Sequence, residues 1–270
     1  MDGTLSFVRA CDCIRGMRRD LADDSVDVVV TSPPYNLGKR YSQYVDARAG
    51  EDYLAWTRDW TWEIVRVLRQ NGSFFLNLGG SPANPLLPHR ILLALAGEEG
   101  PFVLQNTFHW IKAVTITHEG APLSKGHFKP INSRRFVTDC HEYVFHLTLS
   151  GAVELDRKAI GVPYQDKANI RRWRHSNGED RRCTGNNWFI PYETIQNRAK
   201  DRPHPASFPV ELPERCIRLH GNCEELTVLD PFLGSGSSWI AAKRCGVRAF
   251  YGYDIDKSYI ALAKRRYRAA

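Results

Sequence analysis

Apolar residues recur along this chain in two rhythms that exchange with one another. "VDVVV" at 26–30 is a continuous β-branched run, the pattern of a strand covered on both faces. Residues 52–69, "DYLAWTRDWTWEIVRVLR", place Leu54, Trp60, Ile64, Val65 and Leu68 close to helical spacing, and Gln70-Asn71-Gly72 ends that helix. "SFFLNLG" at 73–79 returns to strand, "LPHRILLALAG" to helix, and "FVLQNTFHWIK" and "HEYVFHLTL" to strand. Regularity resumes with a helix over 209–221, "PVELPERCIRLHG". "LTVLDPFLGSGSSWIAAKRCG" then reads strand, glycine loop, helix, and "AFYGYDIDKSYIALAKRRYRAA" reads strand, acidic turn, helix. Helices alternating with strands in this way predict an α/β fold with a doubly wound, mostly parallel sheet.

The rhythm fails in two places. From about 113 to 136 the chain is polar and basic, and from about 150 to 203 it is rich in Arg, Lys and Trp; both read as long loops, which compact folds rarely keep unless the loops work or are disordered. At 270 residues the chain suits one large domain with an insertion, and its 43% hydrophobic and 25% charged content is that of a globular protein. No apolar run reaches membrane-spanning length and "MDGTLSFVRACDC" lacks a signal pattern, so a cytosolic location is expected. The seven cysteines include no C-x-x-C pair, which favours free thiols over a disulfide framework, and no metal site is expected. A net charge of +7 and a pI near 9.1 suit a polyanionic partner.

Two short stretches carry chemistry. In "VLDPFLGSGSS" a strand leads through Asp230 into Gly234-Ser235-Gly236 and a helix, whose free N–H groups and close backbone approach suit an anionic ligand group. The next strand ends in "YGYDID", where an acid can accept hydrogen bonds from both hydroxyls of a ribose. Together they indicate a nucleoside-containing cofactor. The third glycine of the dinucleotide fingerprint is missing and there is no G-K-[ST], which argues against NAD, FAD and a P-loop. The other stretch is "DVVVTSPPYNLGKRY" at 27–41, where a buried strand runs into Ser-Pro-Pro-Tyr. Successive prolines hold the backbone extended and stiff, so Ser32 and Tyr35 are presented in a fixed geometry.

Asp-Pro-Phe-x-Gly-x-Gly in one half and Ser-Pro-Pro-Tyr in the other resemble the S-adenosylmethionine-dependent DNA amino-methyltransferases, which modify cytosine N4 or adenine N6. With the catalytic tetrapeptide first and the cofactor loop last, the order resembles their circularly permuted beta class, and "CDC", "FHWIK", "RRFVTDCHEYVFHLT" and "HPASFP" follow in register. The resemblance divides the chain into a catalytic half at 1–149, a target-recognition region at 150–203 and a cofactor-binding half at 204–270 of one Rossmann-like core. It implies that Phe232, Gly234, Gly236 and Ser237 hold the methionine part of S-adenosyl-L-methionine. Asp254 is implied for the ribose, with Asp256 able to share that role, and Asp12 for the adenine amino group. His204, Pro205 and Phe208 are implied to close the methionine end, and Thr31, Asp230 and Ser235 are placed with the cofactor group. Cys11 stands where the family often has Gly, a departure that a small residue accommodates.

The resemblance assigns catalysis to Ser32, Pro33, Pro34 and Tyr35. An exocyclic amino nitrogen is a weak nucleophile because its lone pair is delocalised into the ring. The Ser32 hydroxyl and the Pro33 carbonyl, as acceptors on its two N–H groups, would localise that pair, while Tyr35 stacks on a base flipped out of the duplex. Ser at the first position favours cytosine N4 over adenine N6; cytosine C5 chemistry needs a Cys nucleophile, usually after Pro, and no Pro-Cys occurs. Arg171, Arg172, Arg174, Arg181 and Arg182, among Trp173 and Trp188, are candidates for contact with double-stranded DNA, as are Lys39, Lys125, Lys129, Arg134 and Arg135. A homodimer and a separately acting cognate restriction endonuclease stay open. The rival readings are a protein glutamine methyltransferase, whose loop order is opposite, and a non-catalytic nucleic-acid-binding module.

Overall fold

The computed structural model describes residues 4–36, 46–118, 121–126, 132–191 and 207–270. Its centre is β2 (Val26–Thr31), whose side chains are almost all buried, as its unbroken β-branched run requires. β2 pairs in parallel with β3 (Leu68–Leu78) on one side and with β8 (Thr227–Asp230) on the other. Beyond β8 lie β9 (Ala249–Asp254) and the edge strand β1 (Leu5–Ala10), both parallel. Beyond β3 the sheet turns antiparallel through β6 (His141–Thr148) and β4 (Val103–His118), and β4 then pairs with β5 (Ala121–Gly126). Among the described residues the sheet has nine strands in the order β1-β9-β8-β2-β3-β6-β4-β5, with β7 (Asn187–Pro191) beside β4. The chain leaves β8 toward one edge and β2 toward the other, so these two strands form the topological switch point at which α/β sheets bind ligands.

Helices cover both faces. α1 (Cys13–Asp20), α2 (Gly50–Val67) and α3 (Leu87–Ala96) bury Met17, Trp60, Ile64 and Ile91 against Val29, Phe74 and Leu76. On the opposite face α5 (Glu211–His220), α6 (Ser237–Cys245) and α7 (Lys257–Ala269) enclose Ile217, Ala241, Ile260 and Ala263 with Val28, Val30 and Val228. α4 (Ala168–Arg172) is a short turn of helix outside the core. The last helix closes on the first strand: Trp239 of α6 donates its indole N–H to Ser6 Oγ at 3.0 Å and stacks on Tyr267 of α7 at 4.0 Å.

Three expectations are corrected. The helix ends at Val67 and β3 begins at once, because Leu68 pairs with Val26 and the irregular register between Val26 and Val28 absorbs Gln70, Asn71 and Gly72 into the strand. The segment from 113 is no loop: β4 runs on to His118 and forms a hairpin with β5, the β-branched "VTIT" outweighing its polar surroundings. Within 150–203, "NWFIP" becomes β7, whose Trp188 is fully buried and stacks on Phe108 at 4.4 Å. Trp188 is a core residue, and of the two tryptophans that stand among the candidate arginines only Trp173 is exposed, at 56%.

Candidate active site at the switch point

The carboxyl ends of β2 and β8 are tied by one buried hydrogen bond, Thr31 Oγ1 donating to Asp230 Oδ1 at 2.6 Å. Phe232 N donates to the same oxygen at 3.0 Å, and Ser238 Oγ donates to Oδ2. Both oxygens of Asp230 therefore serve the protein's own donors. Its burial pushes its pKa up to about 6 against the pull of these bonds. Asp230 is the clamp that fixes the loop to β2, a role in which Ser238, which sequence reasoning missed, is its partner.

The loop that follows needs its glycines. Gly234 and Gly236 have φ of +51° and +84°, and a Cβ on Gly236 would lie 2.8 Å from the Cβ of Ala263. Ser235 is held by Arg266, whose guanidinium donates to its carbonyl at 2.6 Å and to its hydroxyl at 2.8 Å; Ser237 Oγ lies 3.4 Å from the same nitrogen. Asp254, at the end of β9, accepts from Gly234 N at 2.9 Å and from Asp256 N at 2.8 Å, and desolvation raises its pKa to about 6. Asp256 caps α7, accepting from Ser258 N at 2.7 Å and from the Ser258 hydroxyl, while its buried Oδ2 has no partner. Asp12 is exposed and caps α1 through Arg15 N at 3.0 Å. Phe232 is half-buried against Trp60 and Trp56, with ring centroids 5.1 and 5.6 Å away. Phe208 is buried in the core with Leu233 and Leu212, while His204 and Pro205 lie outside the described residues.

The chain thus builds a cradle of glycine backbone, an aromatic wall and an acid with two backbone donors already on it. An orphaned carboxylate oxygen on Asp256 lies two residues from that acid. These features fit a nucleoside cofactor carrying a charged amino-acid tail.

Beside this cradle stands Ser-Pro-Pro-Tyr. Ser32 Oγ and Tyr35 Oη are 2.7 Å apart, and Tyr35 donates to Glu142 Oε2 at 2.9 Å. Asn77, buried on β3, donates from Nδ2 to Tyr35 Oη and to Glu142 Oε2, each at 2.7 Å. Lys112 Nζ lies 2.9 Å from Glu142 Oε1. The Pro34 carbonyl accepts from Tyr53 Oη of α2 at 2.6 Å, which fixes the tetrapeptide to the helix behind it. Asn36, at φ +55°, closes the turn, its backbone N–H on Asp46 and its side chain bridging both backbone groups of Arg48. Asn77, Lys112 and Glu142 were not among the expected site residues. Asn77 and Glu142 stand out only as polar side chains inside otherwise apolar strands, as in "SFFLNLG" and "HEYVF", although Lys112 and Glu142 also fall within the family-like stretches "FHWIK" and "RRFVTDCHEYVFHLT".

Among the described residues, Arg134, Arg135, Arg171, Arg172, Arg174, Arg181 and Arg182 take no part in this cluster's hydrogen bonds. Arg171, Arg172 and Arg174 are exposed around α4, Arg181 reaches the Ala159 carbonyl at 3.5 Å, and Arg182 stands 5.9 Å over the Tyr164 ring. Arg134 and Arg135 are exposed, Arg135 over Phe136 at 4.8 Å. Lys125 lies on β5 opposite Val114. Lys39 and Lys129 fall outside the described residues. No described helix is long and apolar enough to cross a membrane.

An N6/N4 methyltransferase family model, described as DNA methylase, matches residues 26–265. The type II methyltransferase M.HpaI of Haemophilus parainfluenzae is 28% identical over 248 residues, spanning 92% of this chain and 70% of that protein. The type II methyltransferase M.PvuII of Proteus hauseri is 24% identical over 278 residues, with 91% and 79% covered. Among solved structures, the cytosine-N4-specific PvuII DNA methyltransferase superposes with a TM-score of 0.69 at 20% identity, covering 98% of this chain and 86% of that one. TTHA0409 of Thermus thermophilus, solved with S-adenosyl-L-methionine, gives 0.63 at 23% identity, with 98% and 94% covered.

Proposed function

This chain belongs to the DNA methylase family, and from that premise we propose that it methylates the exocyclic amino group of a base flipped out of double-stranded DNA, cytosine N4 in preference to adenine N6. The observation that carries the reading is the bond between Thr31 and Asp230. It holds the tetrapeptide that begins with Ser32 directly against the glycine loop, so a bound cofactor and a bound base meet at the strand ends. Bound in the cradle of Phe232, Gly234, Gly236 and Asp254, S-adenosyl-L-methionine supplies an electrophilic methyl group. Ser32 accepts from the amino N–H and localises the nitrogen lone pair, and the Pro33 carbonyl takes the second N–H. The Tyr35 ring stacks on the base while its hydroxyl remains in the network below. Ser at the first position of the tetrapeptide supports cytosine N4.

The order of tetrapeptide and loop, with α7 packed back against β1, supports the circularly permuted arrangement. Exposed Arg171, Arg172 and Arg174 with Trp173 support contact with DNA by the segment around α4. The type II relatives extend the proposal to a modification enzyme that shares a recognition sequence with a separately acting endonuclease. Digestion of DNA treated with the purified chain and S-adenosyl-L-methionine, followed by nucleoside mass spectrometry, tests the reading. N4-methylcytosine supports it, N6-methyladenine moves it to the other amino base, and unmodified DNA from a cofactor-binding protein overturns it.

A further inference from the structure

The hydrogens that pass between Ser32, Tyr35, Asn77 and Glu142 beneath the tetrapeptide can be traced. Glu142, its side chain 14% exposed and 2.9 Å from the Lys112 ammonium, is a carboxylate that only accepts. The Tyr35 hydroxyl has one hydrogen, and that hydrogen goes to Glu142 Oε2. Asn77 Nδ2 has two, which serve Tyr35 Oη and Glu142 Oε2 at 2.7 Å each; its 3.5 Å separation from Ser32 Oγ is too long to compete. The 2.7 Å contact between Ser32 Oγ and Tyr35 Oη therefore has one consistent direction, Ser32 donating to the tyrosine oxygen. With its hydrogen spent inward, Ser32 presents only lone pairs outward.

We infer that Glu142 is a positioning residue: through Tyr35 it sets the direction in which the Ser32 hydroxyl donates, so that Ser32 meets the amino group as an acceptor. This rests on the methyl-transfer reading above. A serine free to rotate would point its hydrogen toward the N–H of the base in part of its population, and a misdirected dipole in a preorganised site weakens the transition state. Asn77 holds Tyr35 and Glu142 together, and Lys112 keeps the carboxylate aimed from the other side. The structural alternative is that Glu142 merely braces β6 to β4 through Lys112.

Glu142→Gln separates the two. A glutamine has one acceptor oxygen, and Lys112 on one side competes for it with Tyr35 and Asn77 on the other. With the oxygen on Lys112, the amide N–H donates into Tyr35 Oη and turns the tyrosine hydrogen onto Ser32. Single-turnover methyl transfer to DNA at saturating cofactor should then fall by about a hundredfold with cofactor affinity unchanged. Removing the competitor in Lys112→Met/Glu142→Gln should restore about tenfold of that loss, whereas a brace would stay broken. In a Tyr35→Phe background Glu142→Gln should cost nothing further. Full turnover in Glu142→Gln, no recovery in the double variant, or an additional loss on top of Tyr35→Phe would each overturn the inference. Neutron diffraction of the deuterated wild-type protein tests it independently of turnover. Deuterium on Ser32 directed at Tyr35 Oη supports the inference even if DNA is not the substrate, and the reverse orientation overturns it even if DNA is methylated.

Discussion

Thr31 and Asp230 are 199 residues apart in sequence, yet the hydroxyl of one donates to the carboxyl of the other at 2.6 Å in a fully buried contact. The bond joins the two central strands at the end where their chain directions diverge. It makes the position of Ser32 depend on that of the glycine loop, since Thr31 precedes Ser32 and Asp230 opens the loop.

Thr31→Val keeps the shape and deletes the donor. Asp230 Oδ1 is then left with Phe232 N alone in a buried setting, which should lower stability by about 1–3 kcal/mol. Urea denaturation measures this. Methyl transfer should fall with it, and a variant as stable and active as the wild type would show that the clamp is dispensable.

On the proposed chemistry, Ser32→Ala removes one acceptor from the amino group. Losing one such interaction costs about 2.7–4 kcal/mol of transition-state stabilisation, so kcat should drop while cofactor affinity, read by calorimetry, stays constant. Cofactor binding that collapsed along with turnover would place Ser32 in the wrong half of the site.

Asp254 gives the site a pH dependence. Burial raises its pKa from the ordinary 3.8 to about 6, so between those values the folded chain holds a proton that the unfolded chain releases. Stability without cofactor should therefore decline as pH rises through that window, to which Asp230, also at about 6, contributes in the same sense. If Asp254 binds the ribose, as proposed, cofactor affinity should move the opposite way, rising through about pH 6 as Asp254 gains the charge that accepts from ribose hydroxyls. Asp254→Asn should bind weakly and show no such rise, and calorimetry across the range checks both.

Gly236→Ala meets two obstacles. Its φ of +84° is unfavourable for any L side chain, and the new Cβ would sit 2.8 Å from that of Ala263 and 3.2 Å from its Cα. The start of α6 must shift, and cofactor binding should weaken more than global stability does. Unaltered binding would mean that the loop has slack the structure does not show.

Arg171 and Arg172 on α4 are exposed. If they meet phosphate, replacing both with Ala should weaken DNA binding on cognate and scrambled duplexes alike. Each lost contact removes roughly 0.9 from the slope of log K against log salt. An unchanged slope on both duplexes would leave this stretch as a solvated surface.

What the sequence determined by itself is what is local. A run such as "VDVVV" at 26–30 reads as a strand covered on both faces, paired glycines after Leu229 as a turn into a helix, and Pro33-Pro34 as a stiffened strand end. Those features depend on neighbours in the chain, so they were legible, and with them the α/β class and the two loops that the fold brings together at the strand ends. That β8 lies beside β2 is a fact of the sheet's topology. Local periodicity did not supply it.

The cluster under Ser32 belongs to the tertiary structure. Asn77 lies opposite Val144 on β6, and Trp110 of β4 lies opposite Glu142, so three strands remote in sequence must stand in one register before Asn77, Lys112 and Glu142 share a face. Side chains alternate across a strand with period two, and a slip of one residue would turn Glu142 to the opposite face of the sheet. β5 and β7 were hidden for a related reason: polar or basic surroundings obscure a strand whose hydrogen-bonding partner is chosen only when β4 is already in place.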